Sequence, residues 1–454
     1  MQDTIAAVAT AHGIGSISII RLSGENSLTI AKVLSRSEAD FRKKADFKAR
    51  HATLSPLYNS ADELIDEAII IYFKGPNSFT AEDIVEFQCH GGKIVAEQVL
   101  QAVLDAGARL AEPGEFSKRA FLNGRIDLTE AEAIAQLIEA KSEDAAKILA
   151  KQMKGELKGY VEGVRDDLLN ILAYSEVTID YAEEDLPQDL IDQILERLAQ
   201  LSVQLSDTLQ ASQSRAGLMQ GFKVAIIGKP NVGKSSLLNV LLNYKRAIVS
   251  DIAGTTRDTI EEEVKIGTHL IRMVDTAGIR NANDEIERIG IERSIEAIEQ
   301  SDIVIALFDN SRLFDDEDEK ILSLIQEHKD EKSFIVLLNK TDLESKLDKS
   351  KIQDYDPIAL SCKENARELI KALANIMDTK NVSDEMMLIS ARQINAVKKA
   401  LSEIEEAKIP LEEQELEIFS FHMNMAITEV SSITRPYEHS EMLDKMFGNF
   451  CLGK

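Results

Sequence analysis

The chain has 454 residues, 44% of them hydrophobic, with 52 Lys and Arg against 78 Asp and Glu for a formal charge of −26. At ~150 residues per domain this length predicts about three domains, and the acidity argues against a broad non-specific nucleic-acid surface. No apolar run reaches the ~18–20 residues of a membrane span, Met1–Thr10 has neither a basic n-region nor a cleavage site, and Cys89, Cys362 and Cys451 are too far apart for a disulfide framework or a CxxC metal site, so a soluble, cytoplasmic chain without a membrane partner is expected.

Ser16–Leu22 and Ala68–Phe73 are rich in Ile and read as strands. Gly75-Pro76-Asn77-Ser78 reads as a turn, and Lys93–Ala106 as a helix closed by Gly107. Residues 1–118 are therefore expected to form an α+β domain. Arg42, Lys43, Lys44, Lys48 and Arg50 make one basic cluster, read first as a solvated loop and second as an RNA contact. Residues 119–215 predict helix almost throughout. Thr129 is placed as an N-cap with Glu132 completing a capping box, and amphipathic stretches cover Leu157–Ile179 and Leu190–Leu209 around the acidic Tyr181–Gln188. Residues 216–378 alternate strand and helix, the pattern of a mostly parallel sheet with crossover helices. Helical spacing returns in 379–454, over Gln393–Glu406, Leu411–Ile433 and Glu441–Phe447. The economical arrangement is one all-helical domain, 119–215 plus 379–454, with the α/β domain inserted into it.

The α/β segment carries the chemistry. The apolar strand Val224–Ile227 runs into Gly228-Lys229-Pro230-Asn231-Val232-Gly233-Lys234-Ser235-Ser236 and then a Leu-rich helix, which is G-x-x-x-x-G-K-S in the strand–loop–helix context the motif requires. Glycines let backbone N–H groups close round phosphates, and the helix N-terminus favours an anion. Lys234 is expected to reach the β- and γ-phosphates and Ser235 to ligate Mg²⁺. Asp275-Thr276-Ala277-Gly278 follows the strand Leu270–Val274, where Asp275 can hold the Mg²⁺ shell and the Gly278 N–H can meet the γ-phosphate. Asn339-Lys340-Thr341-Asp342 follows Phe334–Leu338, with Asp342 placed to accept from guanine N1–H and its exocyclic amine. Ser361-Cys362-Lys363 after Ile358–Leu360 completes the base-contacting loops, Cys362 standing where Ala is frequent. Four motifs in this order imply GTP as the ligand and a Ras-like P-loop fold.

Two residues depart from small GTPases. Ile279 stands where they carry a water-orienting Gln, and Asn231 inside the phosphate loop has a side-chain oxygen able to help hold K⁺ beside the transferred phosphate. Ser250-Asp251-Ile252-Ala253-Gly254-Thr255-Thr256-Arg257-Asp258 is the matching switch loop, with Thr256 available to Mg²⁺. Glu287 is a candidate to orient water, its alternative being an ordinary solvated carboxylate; with Lys234 and Thr256 it makes the candidate catalytic set.

Together with Gly75–Thr80 (GPNSFT), Cys89–Gly92 (CHGG), Pro113–Ser117 (PGEFS), Arg119–Gly124 (RAFLNG), Asp251–Asp258, Glu287–Arg293 and Cys451-Leu452-Gly453-Lys454, these motifs make the chain resemble the MnmE (TrmE) family of tRNA-modification GTPases over essentially its full length. The resemblance implies an N-terminal domain, residues 1–118, that binds a tetrahydrofolate derivative (5-formyl- or 5,10-methylene-tetrahydrofolate) and forms the homodimer. It implies a helical domain, a K⁺-stimulated GTPase domain, and a flavoprotein partner, MnmG (GidA), in a heterotetramer or larger complex. With that partner the family adds an aminomethyl or carboxymethylaminomethyl group to C5 of the wobble uridine of certain tRNAs. It places folate contacts on Arg21, Glu86, Arg125 and Lys454, and K⁺ ligands on Asn231, Ser250, Ile252 and Thr255. It makes Glu287 the water-orienting carboxylate, and brings the tail to the folate pocket with Cys451 important for modification. From the residues alone, Arg21 and Arg125 read as surface ion pairs, Cys89-His90 as structural, and Cys451 as a poor match to a prenylation box in a frayed tail. The alternative function, a ribosome-assembly GTPase acting as an RNA-binding switch, predicts a basic appendage after the nucleotide domain, whereas 379–454 is acidic and helical. A folate protein with a regulatory GTPase is a third reading.

Overall fold

The computed structural model describes residues 3–11, 13–35, 47–180, 187–243, 262–274, 288–363, 366–379, 386–435, 440–448, 450 and 453. They gather into two compact units: Met1–Ile138 with Gln152–Asp185 and Glu413–Lys454, and Glu139–Lys151 with Leu186–Glu412.

The first unit is built on a six-stranded sheet of order β3-β4-β5-β2-β1-β6. Its strands are β1 (Ile5–Val8), β2 (Ile17–Ser23), β3 (Ala52–Tyr58), β4 (Leu64–Phe73), β5 (Ile84–His90) and β6 (Arg109–Leu110). All neighbours are antiparallel except β1 and β6. Alternation decides which side is core: Ile20 and Leu22 of β2, Val85 and Phe87 of β5, and Ala68 and Ile70 of β4 pack with Val99 and Val103 of the helix Lys93–Asp105. That helix ends as expected, with Ala106 as C-cap and Gly107 at φ +104°.

The helix at Leu128 is capped differently from expectation. Asp127, not Thr129, is the cap: its Oδ1 accepts from the Glu130 N–H at 2.9 Å, and Glu130 Oε2 accepts from the Asp127 N–H at 2.8 Å. The capping box is thus Asp127/Glu130 rather than Thr129/Glu132. Thr129 lies inside the first turn, fully buried, its hydroxyl donating to Asp127 Oδ1 at 2.6 Å. Acidic Asp accepts more strongly than a hydroxyl at a helix N-terminus, and burial of Leu128 and Ala131 fixes the register. The long helices Glu156–Asp180 and Leu416–Thr434 pack together in this unit.

The second unit holds a sheet of order β12-β11-β10-β7-β9-β8. Its strands are β7 (Phe222–Ile227), β8 (Glu262–Ile266), β9 (His269–Met273), β10 (Ile303–Asp309), β11 (Ser333–Asn339) and β12 (Ile358–Ala359). It is parallel from β12 to β9, and only the edge strand β8 is antiparallel. Both faces are covered, so the central strands are apolar throughout: Ile226, Ile305 and Leu337 enter one core, and Ile227, Val304 and Val336 the other. The helices Gln188–Ser214 and Ala391–Glu412 pack together in this unit. The second runs past the expected stop at Glu406 because Ala407, Pro410 and Leu411 are buried and packing overrides the proline. The helix ends at Glu412 instead, Gln414 is left-handed at φ +61°, and the next helix begins at Leu416 rather than Leu411.

Candidate functional site

Parallel α/β sheets bind ligands beyond the carboxyl ends of their strands, where the strand order reverses. Here β7 has β10 on one side and β9 on the other, and the loops after β7, β11 and β12 converge.

The loop Gly228–Gly233 joins β7 to the helix Lys234–Asn243. Two of its glycines answer to close approaches as well as to positive φ. A Cβ on Gly228 (φ +150°) would lie 2.6 Å from the Leu307 carbonyl oxygen, and one on Gly233 (φ +110°) 2.2 Å from Asn339 Nδ2. Asn231 is left-handed at φ +62°, a conformation Asn tolerates better than most residues, and its side chain is exposed. Val232 is buried in the core below. Lys234 Nζ donates to the carbonyls of Gly228 at 2.6 Å and Lys229 at 3.0 Å, so its ammonium lies inside the curl of the loop. Burial lowers its pKa. Ser235 and Ser236 are exposed in the first helical turn.

Asn339, at the end of β11, is buried and joins two loops at once. Its Nδ2 donates to the Val232 carbonyl at 2.8 Å, and its Oδ1 accepts from the Cys362 N–H at 3.2 Å. Lys340, left-handed at φ +63°, donates to the Asn231 carbonyl at 2.9 Å and to the buried Asp309 at 2.6 Å. Asp309 was not singled out from the sequence; a lone Asp ending an apolar strand gives little signal until the fold sets it beside Lys340. Asp342 accepts from Ser361 Oγ at 3.1 Å and from Lys363 Nζ at 3.2 Å. Desolvation pushes its carboxyl up, but those hydrogen bonds outweigh it and hold it below the usual carboxylate range. It is an ionised acceptor. The Cys362 side chain packs on the core, and burial, followed by the charge of Asp342, pushes its thiol up to about 11. Its backbone N–H is the group bonded to Asn339.

Ser250, Asp251, Ile252, Ala253, Gly254, Thr255, Thr256, Asp275, Thr276, Ala277, Gly278 and Glu287 lie outside the described residues, as do Ile279, Cys451 and Lys454.

In the first unit Arg21 and Glu86 are cross-strand partners on β2 and β5, with Arg21 Nε and Nη2 both 2.9 Å from Glu86 Oε1. The guanidinium carbon lies 5.6 Å from the Phe79 ring centre and 5.9 Å from that of Phe116. Those rings come from the GPNSFT and PGEFS segments. RAFLNG and the Arg125 after it meet the first of these segments: Asn123 donates to the Thr80 carbonyl at 2.7 Å, and Arg125 Nε to that of Ser78 at 3.3 Å. Gly453 lies against β1, where a Cβ would be 2.5 Å from the Val8 carbonyl oxygen, and Val8 pairs with Ile20, next to Arg21. Cys89 is buried, donates to the Ser18 carbonyl at 3.4 Å, and has its thiol pushed up to about 11 by burial and then by Asp66. His90 Nδ1 lies 2.7 Å from Asp66 Oδ1. This pair has the contacts of strand packing rather than of a nucleophile.

Residues 128–451 match the MnmE helical domain family, and residues 4–125 match the family described as GTP-binding protein TrmE N-terminus. The chain is 67% identical to the tRNA modification GTPase MnmE of Sulfurimonas denitrificans over 453 residues, covering 100% of each chain. It is 60% identical to that of Aliarcobacter butzleri, over 100% of this chain and 99% of the relative. With that of Campylobacter jejuni it shares 51% over 100% of both.

An Asp at 342 would accept two hydrogens from guanine, whereas an Asn accepts one and donates one, the pattern xanthine requires. Asp342→Asn is expected to weaken GTP binding by about a hundredfold, the scale of one to two charge-assisted hydrogen bonds, and to strengthen xanthosine triphosphate binding. Titration with both nucleotides checks it; unchanged GTP affinity would remove Asp342 from base recognition.

Proposed function

The chain belongs to the MnmE (TrmE) family of tRNA modification GTPases, and on that premise we propose that it hydrolyses GTP in the service of modifying the wobble uridine of tRNA. The observation that carries the nucleotide half is the convergence of Lys234, Asn339, Lys340 and Asp342 at one end of a parallel sheet, with side chains of the base loop bonded to the backbone of the phosphate loop. Lys234 binds the β- and γ-phosphates, the loop and helix N–H groups cradle them, and Asp342 selects guanine.

Ser235, in the first turn of the helix after the phosphate loop, would hold Mg²⁺ together with Thr256, and Asp275 would hold its water shell. Asn231, Ser250, Ile252 and Thr255 would hold K⁺. The fit is supported by the exposed side chain of Asn231 on a backbone that Lys340 holds in place. Bound cations supply positive charge to the transferred phosphate. Glu287 orients the attacking water, since Ile279 is unable to do so.

The first unit is proposed to bind a tetrahydrofolate derivative. A carboxylate bonded to an arginine flanked by two phenyl rings suits a polar heteroaromatic ring carrying donors, and Arg125 or Lys454 suits a glutamate tail. The same unit would form the homodimer. MnmG supplies the flavin, and the proteins together transfer the one-carbon unit to tRNA, with Cys451 taking part. We place this work in the cytoplasm.

Three measurements test these assignments. Nucleoside analysis of tRNA from a deletion strain should show wobble uridines lacking the C5 group; unchanged uridines sink the tRNA reading. GTP turnover should be faster in KCl than in NaCl at equal ionic strength, and Asn231→Ala should lose that difference; equal rates in the two salts remove K⁺. Titration with 5-formyl-tetrahydrofolate should give an affinity that Arg21→Ala reduces by about tenfold or more, and an unaltered affinity would return Arg21 to the role of an ion pair.

A further inference from the structure

The phosphate loop contains two lysines, and their surroundings differ. Lys234 Nζ bonds to backbone carbonyls, whereas the side chain of Lys229, the second residue of the loop, bonds to two carboxylates. Its ammonium is 2.8 Å from Asp315 Oδ2 and 2.5 Å from Asp318 Oδ2. The side chains of Lys229 and Asp318 are 3% and 1% exposed, so this contact is dry, while Asp315 is half open to solvent.

Both carboxylates already have work at the start of the helix Asp316–His328. Asp315 is its N-cap, with Oδ1 accepting from the N–H groups of Glu317 at 3.1 Å and Asp318 at 3.2 Å. Asp318 closes the capping box by accepting from the Asp315 N–H at 3.2 Å through Oδ2, the same oxygen that meets Lys229. The box therefore needs no lysine to satisfy its backbone donors. What the lysine adds is a tie between the helix and the loop. Burial opposes its charge, but the two hydrogen bonds outweigh burial and raise its pKa, so it stays an ammonium. Burial meanwhile raises the pKa of Asp318. The cation in turn offsets the repulsion between two acids held three residues apart.

The main chain of Lys229 has a different partner. Its carbonyl accepts from Lys234 Nζ at 3.0 Å. One residue is thus anchored by its side chain to a rigid helix cap and by its backbone to the lysine that meets phosphate. Resting on the nucleotide reading above, we infer that Lys229 is a positioning residue for GTP: clamped between Asp315 and Asp318, it holds the Gly228–Pro230 backbone in the curvature that presents Lys234 and the loop N–H groups to the phosphates. A plain structural ion pair would stabilise the fold and leave the phosphate affinity of the folded protein unchanged.

The experiment measures binding of a fluorescent GDP and a fluorescent GTP analogue to the full-length chain, alongside thermal melting without nucleotide. Lys229→Met is expected to raise both dissociation constants by about tenfold, the scale of a lost charge-assisted hydrogen bond. Lys229→Arg, whose fork bridges two carboxylates, should stay within about twofold of the native protein. Asp318→Asn keeps an acceptor for the Asp315 N–H but loses the charge, and should weaken binding by several-fold with the helix cap intact. A Lys229→Met protein that melts lower yet binds nucleotide as the native chain does overturns the inference. So does Lys229→Arg binding as weakly as Lys229→Met. Should Lys229→Met fail to fold, Asp318→Asn decides alone, and native affinity there overturns it. Native protein that bound neither analogue would instead sink the nucleotide reading itself.

Discussion

The nucleotide-type unit depends on one buried amide. Asn339 ends β11 with its side chain bonded to the phosphate loop through the Val232 carbonyl and to the third loop through the Cys362 N–H. A buried amide with both ends satisfied is worth more than its hydrogen bonds alone, because any displacement leaves polar atoms unpartnered in a dry place. It also explains a glycine. Asn339 Nδ2 occupies the space a Cβ of Gly233 would need, so the loop's second glycine serves the approach of a side chain as much as the approach of phosphate. Lys340 repeats the device one residue later, bridging the Asn231 carbonyl and Asp309. The loops after β7, β11 and β12 are therefore tied to one another by side chains of the protein alone.

Much of this was legible in the sequence because the relevant signals are local. An apolar run such as Val224–Ile227 ending in glycine, followed by a Leu-rich helix, has few foldings other than strand, loop and helix, and three more strands ending in Asp, Asn and Ser motifs settle the sheet type. Where local signals compete, the reading slipped. Thr129 and Asp127 are both good caps, and only burial of Leu128 and Ala131 selects Asp127. Pro410 sits within a helix because the residues round it are buried. The antiparallel edge β8 was not foreseen, since its Glu-Glu-Val-Lys-Ile pattern is short and half solvated.

What local reading misses in principle is pairing at a distance. Lys229 meets Asp318 across 89 residues, and Arg21 meets Glu86 across 65. Neither spacing carries a periodic signature. Phe79, Phe116 and Arg125 sit in three separate segments whose meeting round Arg21 and Ser78 becomes visible only when β2, β5 and the turn before β5 are assembled. Family resemblance supplied Arg21, Glu86 and Arg125 as a set. The residues alone supported no more than ion pairs, and the arginine–carboxylate pair is indeed formed.

The two loop lysines show how one motif divides charge between fold and ligand. Lys229 has two carboxylates, so its positive charge is balanced within the protein and contributes little field at the phosphate position. Lys234 has carbonyl dipoles instead, and burial lowers its pKa, which means that the fold carries this ammonium at a cost at neutral pH. A phosphate oxyanion removes that cost while the carbonyl contacts exchange for a charge-assisted one. On the proposed roles, binding energy would be concentrated on the one lysine placed to meet the β- and γ-phosphates, while the neighbouring lysine would hold the backbone. A loop with both lysines balanced would hold its shape but discriminate weakly between the presence and absence of phosphate. A loop with neither balanced would attract anions onto a backbone free to move, and the geometry on which transfer chemistry depends would be lost.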